Sequence, residues 1–245
     1  MFKTLCLIFP LLFAQIMGVG YRKVFTPAAT GGPLPTANLA GWYKADSLSA
    51  SPVTTWTDSS AAANNLTAVA SPTWAASQIN GLPAVTLNGT SQYFTGLSPA
   101  NPNPAAISIY AIVKPASVTT NQALVGNIVG TGNFLYGLNP SGTQEADQQQ
   151  QAVIGSSTTA LTAGTWYEIA VTYDGSTVHF YRNGSADGST AASYTFGTGP
   201  NALGAAYNGT SIVKFFDGEV AELVVYNTAT YQPSVHSYFV GRYGI

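Results

Sequence analysis

The sequence predicts an all-β protein of two packed antiparallel sheets, and three observations carry that expectation. Short runs at Ala84–Leu87, Ser108–Lys114, Gln151–Ile154 and Glu219–Tyr226 alternate apolar and polar residues, as half-buried strands do. Fourteen tyrosines, eleven phenylalanines and many Val, Thr and Ile residues are punctuated by Gly, Asn and Pro, which reads as many strands joined by tight turns. Charged residues are only 7% of the chain, so the long residues that favour helices over strands are scarce.

The strongest local signal is Trp166 to Gly184. Ile169, Val171 and Tyr173 alternate with Glu168, Ala170 and Thr172, Asp174-Gly175 supplies a turn, and Val178 and Phe180 resume the pattern. With Asp174 and Gly175 as the two loop residues, Val171 pairs with Val178 and Ile169 with Phe180. The opposite face then carries Glu168, Ala170, Thr172, Thr177, His179 and Tyr181. Asn183-Gly184 marks a second turn, with a third strand to follow. A closing helix is expected over Gln232–Gly241, with Pro233 in its first turn and Val235, Tyr238 and Phe239 on one stripe, packed on the sandwich edge.

Residues 1–20 differ from the rest. The apolar run Leu5–Met17 follows Lys3, and about 13 residues are too few to span a bilayer but match the core of a signal peptide. The segment reads either as a cleaved signal or as a retained apolar anchor. Residues 21–37 form a linker or arm whose stretch TPAATGGPLPT is extended and poorly self-packed. Asn101–Pro104 is a turn between strands, so residues 38–245 are expected to form one domain.

Composition also excludes function classes. With 245 residues and 46% hydrophobic content the chain can close a sizeable core, but a net charge of -2 from so few charges gives no footprint for nucleic acid. One cysteine rules out an intrachain disulfide, and His179 and His236 alone cannot build a Cys/His zinc cluster.

Several motifs carry a family resemblance. Trp166 to Gly184 resembles the hairpin of laminin-G-like, concanavalin A-like jelly-roll domains, and FDGEVAELVVYN from Phe216 resembles the strand that follows it. Tyr231–Ile245 resembles the closing helix, while GWYKADSL from Gly41, VTTWTDSS from Val53 and INGLPAVTLNGTSQYF from Ile79 resemble the opening strands of bacterial and phage members. The resemblance implies a jelly-roll sandwich that binds carbohydrate or protein on a cell or particle surface. Relatives that bind calcium use rim carboxylates, and here Asn88 and Gln92 stand where many carry acids. Asp58, Asp174 and Asp217 remain, two of them beside Gly in turns, so calcium is not supported and no cofactor is expected. The architecture is shared with β-glucanases, which resemble one another at Glu-x-Asp-x-x-Glu. The approach here, Glu145-Ala-Asp147-Gln-Gln-Gln150, ends in an amide that cannot act as general acid and reads as a loop, so no catalytic residue is expected. Glu219 and Glu222, three apart, should face opposite sides of their strand.

If the domain binds glycan, aromatic rings should stack on sugar C–H groups while amides and carboxylates hold hydroxyls. The candidates are Glu168, His179 and Tyr181 on the hairpin's non-core face, Tyr136, Asn139, Tyr207 and Asn208 at the rim, and Trp74 in an exposed Ser/Ala/Pro stretch. The competing reading is an ordinary solvated face and ordinary turns. The expectation is a non-catalytic, extracellular, surface-displayed recognition or adhesion module whose partner is a glycan or a surface receptor. The alternative is a virion decoration or fibre-type protein docked through residues 1–35, and so few charges also suit a homo-oligomer.

Overall fold

The structure, a computed structural model, describes residues 31–97, 106–127, 134–148, 152–192, 201–208, 210–229 and 231–245. The segment 1–20, the start of the linker and the turn expected at Asn101–Pro104 lie outside the described residues.

The strands in order are β1 (Leu39–Lys44), β2 (Thr55–Trp56), β3 (Leu66–Val69), β4 (Thr73–Ile79), β5 (Leu82–Asn88), β6 (Tyr93–Leu97), β7 (Ile107–Pro115), β8 (Gln122–Asn127) and β9 (Phe134–Leu138). They continue as β10 (Gln144–Gln148), β11 (Ala152–Ser156), β12 (Tyr167–Tyr173), β13 (Thr177–Arg182), β14 (Ser185–Ala191), β15 (Asn201–Leu203), β16 (Ala206–Tyr207), β17 (Ile212–Val213) and β18 (Asp217–Tyr226). Helix α1 (Pro233–Tyr243) closes the chain. Sheet A has the order β14-β13-β12-β7-β18-β5-β4, with β1 also beside β18, and sheet B the order β11-β10-β9-β8-β15-β6-β3-β2. The sheets pack face to face as the expected antiparallel jelly-roll sandwich, with Trp56, Phe94, Ile109, Tyr136, Val171 and Phe180 in the core between them.

The middle of β7 and the C-terminal half of β18 carry apolar residues on both faces, and the reason is a second core. Ile109, Ala111 and Val113 point toward sheet B, whereas Tyr110 and Ile112 point outward beneath α1 with Ala170, Val224 and Tyr226. The helix therefore lies on the outer face of sheet A, which corrects the edge position expected from the sequence. It runs two residues further than expected, because Gly244 (φ 76) rather than Gly241 ends it, with the Gly244 N–H bonded to the Val240 carbonyl at 2.9 Å. Its buried stripe is Val235, Phe239 and Tyr243. Leu34 is buried in the same outer core and the Tyr226 hydroxyl donates to the Pro35 carbonyl at 2.8 Å, so this end of the linker is tied to the sheet rather than poorly packed.

The β12–β13 hairpin forms with the expected faces but another register. Val171 pairs with Phe180 and Tyr173 with Val178, two residues from the expected pairing, because the turn is longer than Asp174-Gly175. Asp174 Oδ1 accepts from the N–H groups of Ser176 and Thr177 at 2.8 and 2.7 Å, which favours the longer loop. A shift of two leaves each side chain on its face, so the expected burial pattern survives.

Candidate functional site

The two outer faces of the sandwich treat their acids differently. On sheet A a bulge between Val220 and Glu222 lets Glu219 pair with Lys114 and Glu222 with Ile112. Lys114 and Ile112 share the outer face, so Glu219 and Glu222 do too, which corrects the opposite-face expectation; one extra residue in the strand inverts its parity. Glu219 forms an ion pair with Lys114 at 2.5 Å. Glu222 is buried beneath α1, and both its oxygens are occupied. Trp42 Nε1 and the Tyr238 hydroxyl donate to Oε1 at 2.5 and 3.0 Å, and Arg242 Nε and the Tyr243 hydroxyl donate to Oε2 at 3.1 and 2.6 Å. Burial still raises the Glu222 carboxyl above its ordinary range.

The outer face of sheet B carries a different cluster. Segment Gln144–Gln148 is strand β10, not the loop expected from the sequence. Its Ala146 enters the inter-sheet core and Gln144 Oε1 accepts the Tyr136 hydroxyl at 2.6 Å, so the alternating Glu145 and Asp147 face outward together. Asp147 Oδ2 receives Lys214 Nζ at 2.5 Å. This lysine follows β17 in the small β16–β17 arm, which is fastened to sheet B by the Ala123 N–H donating to the Lys214 carbonyl at 2.7 Å. Since β9 separates β8 from β10, the lysine side chain crosses one strand to reach the acid. Gly137, opposite Glu145 on β9, has no room for a side chain because a Cβ would run into the Gln122 carbonyl.

The Glu145 carboxyl is pushed up to about 7, by burial first and then by the neighbouring Asp147, with Asn139 and Lys214 pulling the other way. Asn139 is held at the β9–β10 turn by its Oδ1, which accepts from the N–H groups of Ser141 and Thr143 at 2.9 and 3.2 Å. Asp147 Oδ1 is buried and has no hydrogen-bond partner. Among the described residues no group of three or more His, Cys, Asp or Glu side chains could hold a metal ion. Asp58 is buried and accepts from the N–H groups of Trp42, Ser60 and Asn64 and from the Ser60 hydroxyl, so its oxygens serve its own loop.

The structure scatters the residues proposed from the sequence. Asn139 is part of the sheet B cluster, and Tyr207 and Asn208 lie on the same β16–β17 arm as Lys214, where Asn208 Oδ1 caps the turn through the N–H groups of Thr210 and Ser211. Tyr136 is not at the rim but wholly buried between the sheets. Glu168 is buried beneath α1, with Oε2 against His236 Nδ1, while the His236 ring occupies the space that a side chain at residue 184 would fill. Tyr181 is half-buried and stacked on Tyr231 with ring centroids 4.0 Å apart, and His179 is half-buried on the same face. Trp74 is not free: its Nε1 donates to the Ala45 carbonyl at 2.8 Å and its ring packs against the inter-sheet core. Sequence reasoning set aside Glu145 and Asp147 and missed Lys214; period-two spacing of the two acids was the available signal.

Two antiparallel sheets packed as a jelly roll define the class by fold, and the sequence comparison agrees. The chain belongs to the concanavalin A-like lectin/glucanases superfamily, whose family model matches residues 88–236. A search of curated proteins finds no significant match. Among solved structures, domain 4 of AbnA, a GH43 extracellular arabinanase from Geobacillus stearothermophilus in complex with arabinotriose, superposes with a TM-score of 0.62 at 20% identity, covering 82% of this chain and 97% of that one. The binding domain of Paraclostridial Mosquitocidal Protein 1 gives 0.59 at 14% identity over 84% of this chain and 52% of that one. A Trypanosoma rangeli sialidase mutant displaying trans-sialidase activity gives 0.58 at 15% identity over 88% and 34%. This chain therefore spans about half of the second structure and a third of the third, and at these identities the likeness is one of fold. Among the described residues no helix is long and apolar enough to cross a membrane.

Proposed function

We propose that the chain is a non-catalytic carbohydrate-recognition module, secreted or displayed on a surface, that binds its glycan on the outer face of sheet B. The observation that carries this reading is the cluster of Glu145, Asp147, Asn139 and Lys214 on the face opposite the one α1 covers. Carboxylates, an amide and an ammonium in one place supply the acceptors and donors that sugar hydroxyls require, and Tyr207 on the adjoining arm supplies a half-buried ring. The arabinotriose-bound domain of similar fold supports a glycan as the ligand class. The ion pair favours binding over hydrolysis: Asp147 Oδ2 is held by Lys214 Nζ at 2.5 Å and Asp147 is buried, which does not leave it free as a nucleophile or general base.

The test is a glycan array probed with the full chain and with Glu145→Gln. Binding to a defined glycan set that the variant loses, with unchanged melting behaviour, is the expected result. Binding that Glu145→Gln leaves untouched would overturn the placement of the site, and release of reducing sugar from a bound glycan would overturn the non-catalytic reading.

A further inference from the structure

Going beyond glycan recognition, we infer that Lys214 and Asp147 are the two halves of an intramolecular amide bond, which the folded chain forms by itself and which staples the β16–β17 arm to sheet B. Lys214 Nζ lies 2.5 Å from Asp147 Oδ2, and the two side chains are only 11% and 3% exposed. Lys114 and Glu219 make a pair of the same length on sheet A, but they are 24% and 16% exposed and keep more contact with water. A buried ion pair is well satisfied only when its remaining lone pairs and protons also find partners. Here Asp147 Oδ1 is buried and has none.

The backbone delivers the lysine to this place. Lys214 has a φ of 53°, uncommon for a residue with a side chain, and its carbonyl is fixed on β8 by the Ala123 N–H at 2.7 Å. Ala123 pairs with Gly137 on β9, which puts no side chain in the way of a lysine crossing to β10. Leu135, opposite Asp147 on β9, joins Ala123 and Ala206 in a small apolar cluster, so the surface under the crossing is apolar.

The step needs no other reactant. A proton passes from the ammonium to the carboxylate, the Nζ lone pair attacks Cγ, a C–N bond forms and one C–O bond breaks. The two protons that the nitrogen loses leave with that oxygen as water, and nothing is oxidised or reduced. Holding the groups in contact makes the reaction unimolecular, and it removes two opposite charges from a buried place. The amide keeps one N–H donor and one carbonyl acceptor beside Glu145 and Asn139, so the face proposed for glycan stays polar. The bond closes a loop between positions 67 residues apart and fixes the arm that carries Tyr207. A chain with one cysteine has no intrachain disulfide to do the same.

The experiment is the intact mass of the purified full chain under denaturing conditions, followed by protease digestion and mass-spectrometric sequencing of the fragments. The expected result is a mass lower by one water than the sequence from the observed N-terminus requires, with a branched peptide joining Lys214 to Asp147. Lys214→Arg keeps the positive charge but offers no lone pair, so it should show the full mass and melt at a lower temperature than the wild-type chain. Asp147→Ala should also show the full mass. A wild-type chain at full mass overturns the inference and leaves glycan recognition standing. Water loss that persists in Lys214→Arg belongs to ring closure at Asp174-Gly175 or Asp217-Gly218 and overturns it as well. The wild-type mass and the branched peptide decide the matter even if a variant fails to fold.

Discussion

The outer face of sheet A and the outer face of sheet B start from the same material, a buried strand carrying an acid, and end differently. Glu222 on sheet A is met by four donors, three of them from α1. Asp147 on sheet B is met by one lysine on one oxygen and by a second acid beside it. A helix laid on a sheet brings enough tyrosine and arginine to complete a buried carboxylate, and the face then becomes structure. A short arm brings a single lysine, and one oxygen of the buried Asp147 is left without a partner. The difference teaches that the covering element, more than the sheet, decides how completely a buried acid is satisfied, and on the proposed reading the less complete face is the one that meets the glycan.

Removing the cover is the harshest way to break the comparison. A chain ended before Ser234 loses α1 and bares Tyr110, Val224 and Tyr226. It is expected to aggregate on expression, as read by its soluble fraction and dye binding; a soluble, equally heat-stable truncation would contradict the sealing role. Next in size is Glu222→Ala, which strands Trp42, Tyr238, Tyr243 and one bond of Arg242. Urea unfolding should show a loss of about 3–5 kcal/mol, the cost of breaking a buried charged network.

The third prediction sharpens the sheet B side through pH. Glu145 titrates near 7 in the folded chain against an ordinary 4.5, so the folded state holds its proton more tightly. Its contribution is full below about pH 4.5 and is lost as pH rises through about 7, with a slope of at most about 1.4 kcal/mol per pH unit. Glu168 and Glu222 are also raised by burial and tilt the curve the same way, so Glu145→Gln should flatten the urea stability profile over this window without levelling it. The smallest effect lies outside both faces. Asp174, exposed at the hairpin tip, is held below its ordinary range by the Ser176 hydroxyl and by the N–H groups of Ser176 and Thr177. Asp174→Ala should lower the melting temperature slightly at neutral pH, and the gap should close as pH falls below the ordinary 3.8, where the wild-type carboxyl protonates.

Much of the fold was legible because period and turn chemistry are local. The alternation through Ile169–Tyr173, the Asn183-Gly184 turn with positive φ at both residues, and Pro233 at the helix start each announce their element. The register of the β12–β13 hairpin was not, since the side-chain bonds of Asp174 chose a longer loop than its dipeptide suggests. The site was harder still. Strand β10 reads as a loop because its residues are polar on the outward face and its inward face holds Gln144, whose side chain is satisfied by the Tyr136 hydroxyl from the neighbouring strand and the Tyr181 carbonyl from the facing sheet, neither of them local. Lys214 is 67 residues from Asp147, and nothing local links them. Tyr181 and Glu168 looked like an open polar face because the helix that covers them lies at the far end of the chain.

The most direct test of which face recognises the ligand is to probe one glycan array with Glu145→Gln and Tyr181→Ala in parallel, both checked for unchanged melting. The expected result is that Glu145→Gln loses the glycans bound by the wild-type chain while Tyr181→Ala keeps them. Loss in Tyr181→Ala with binding retained in Glu145→Gln would place recognition on sheet A and contradict the assignment of function to the face that α1 leaves uncovered.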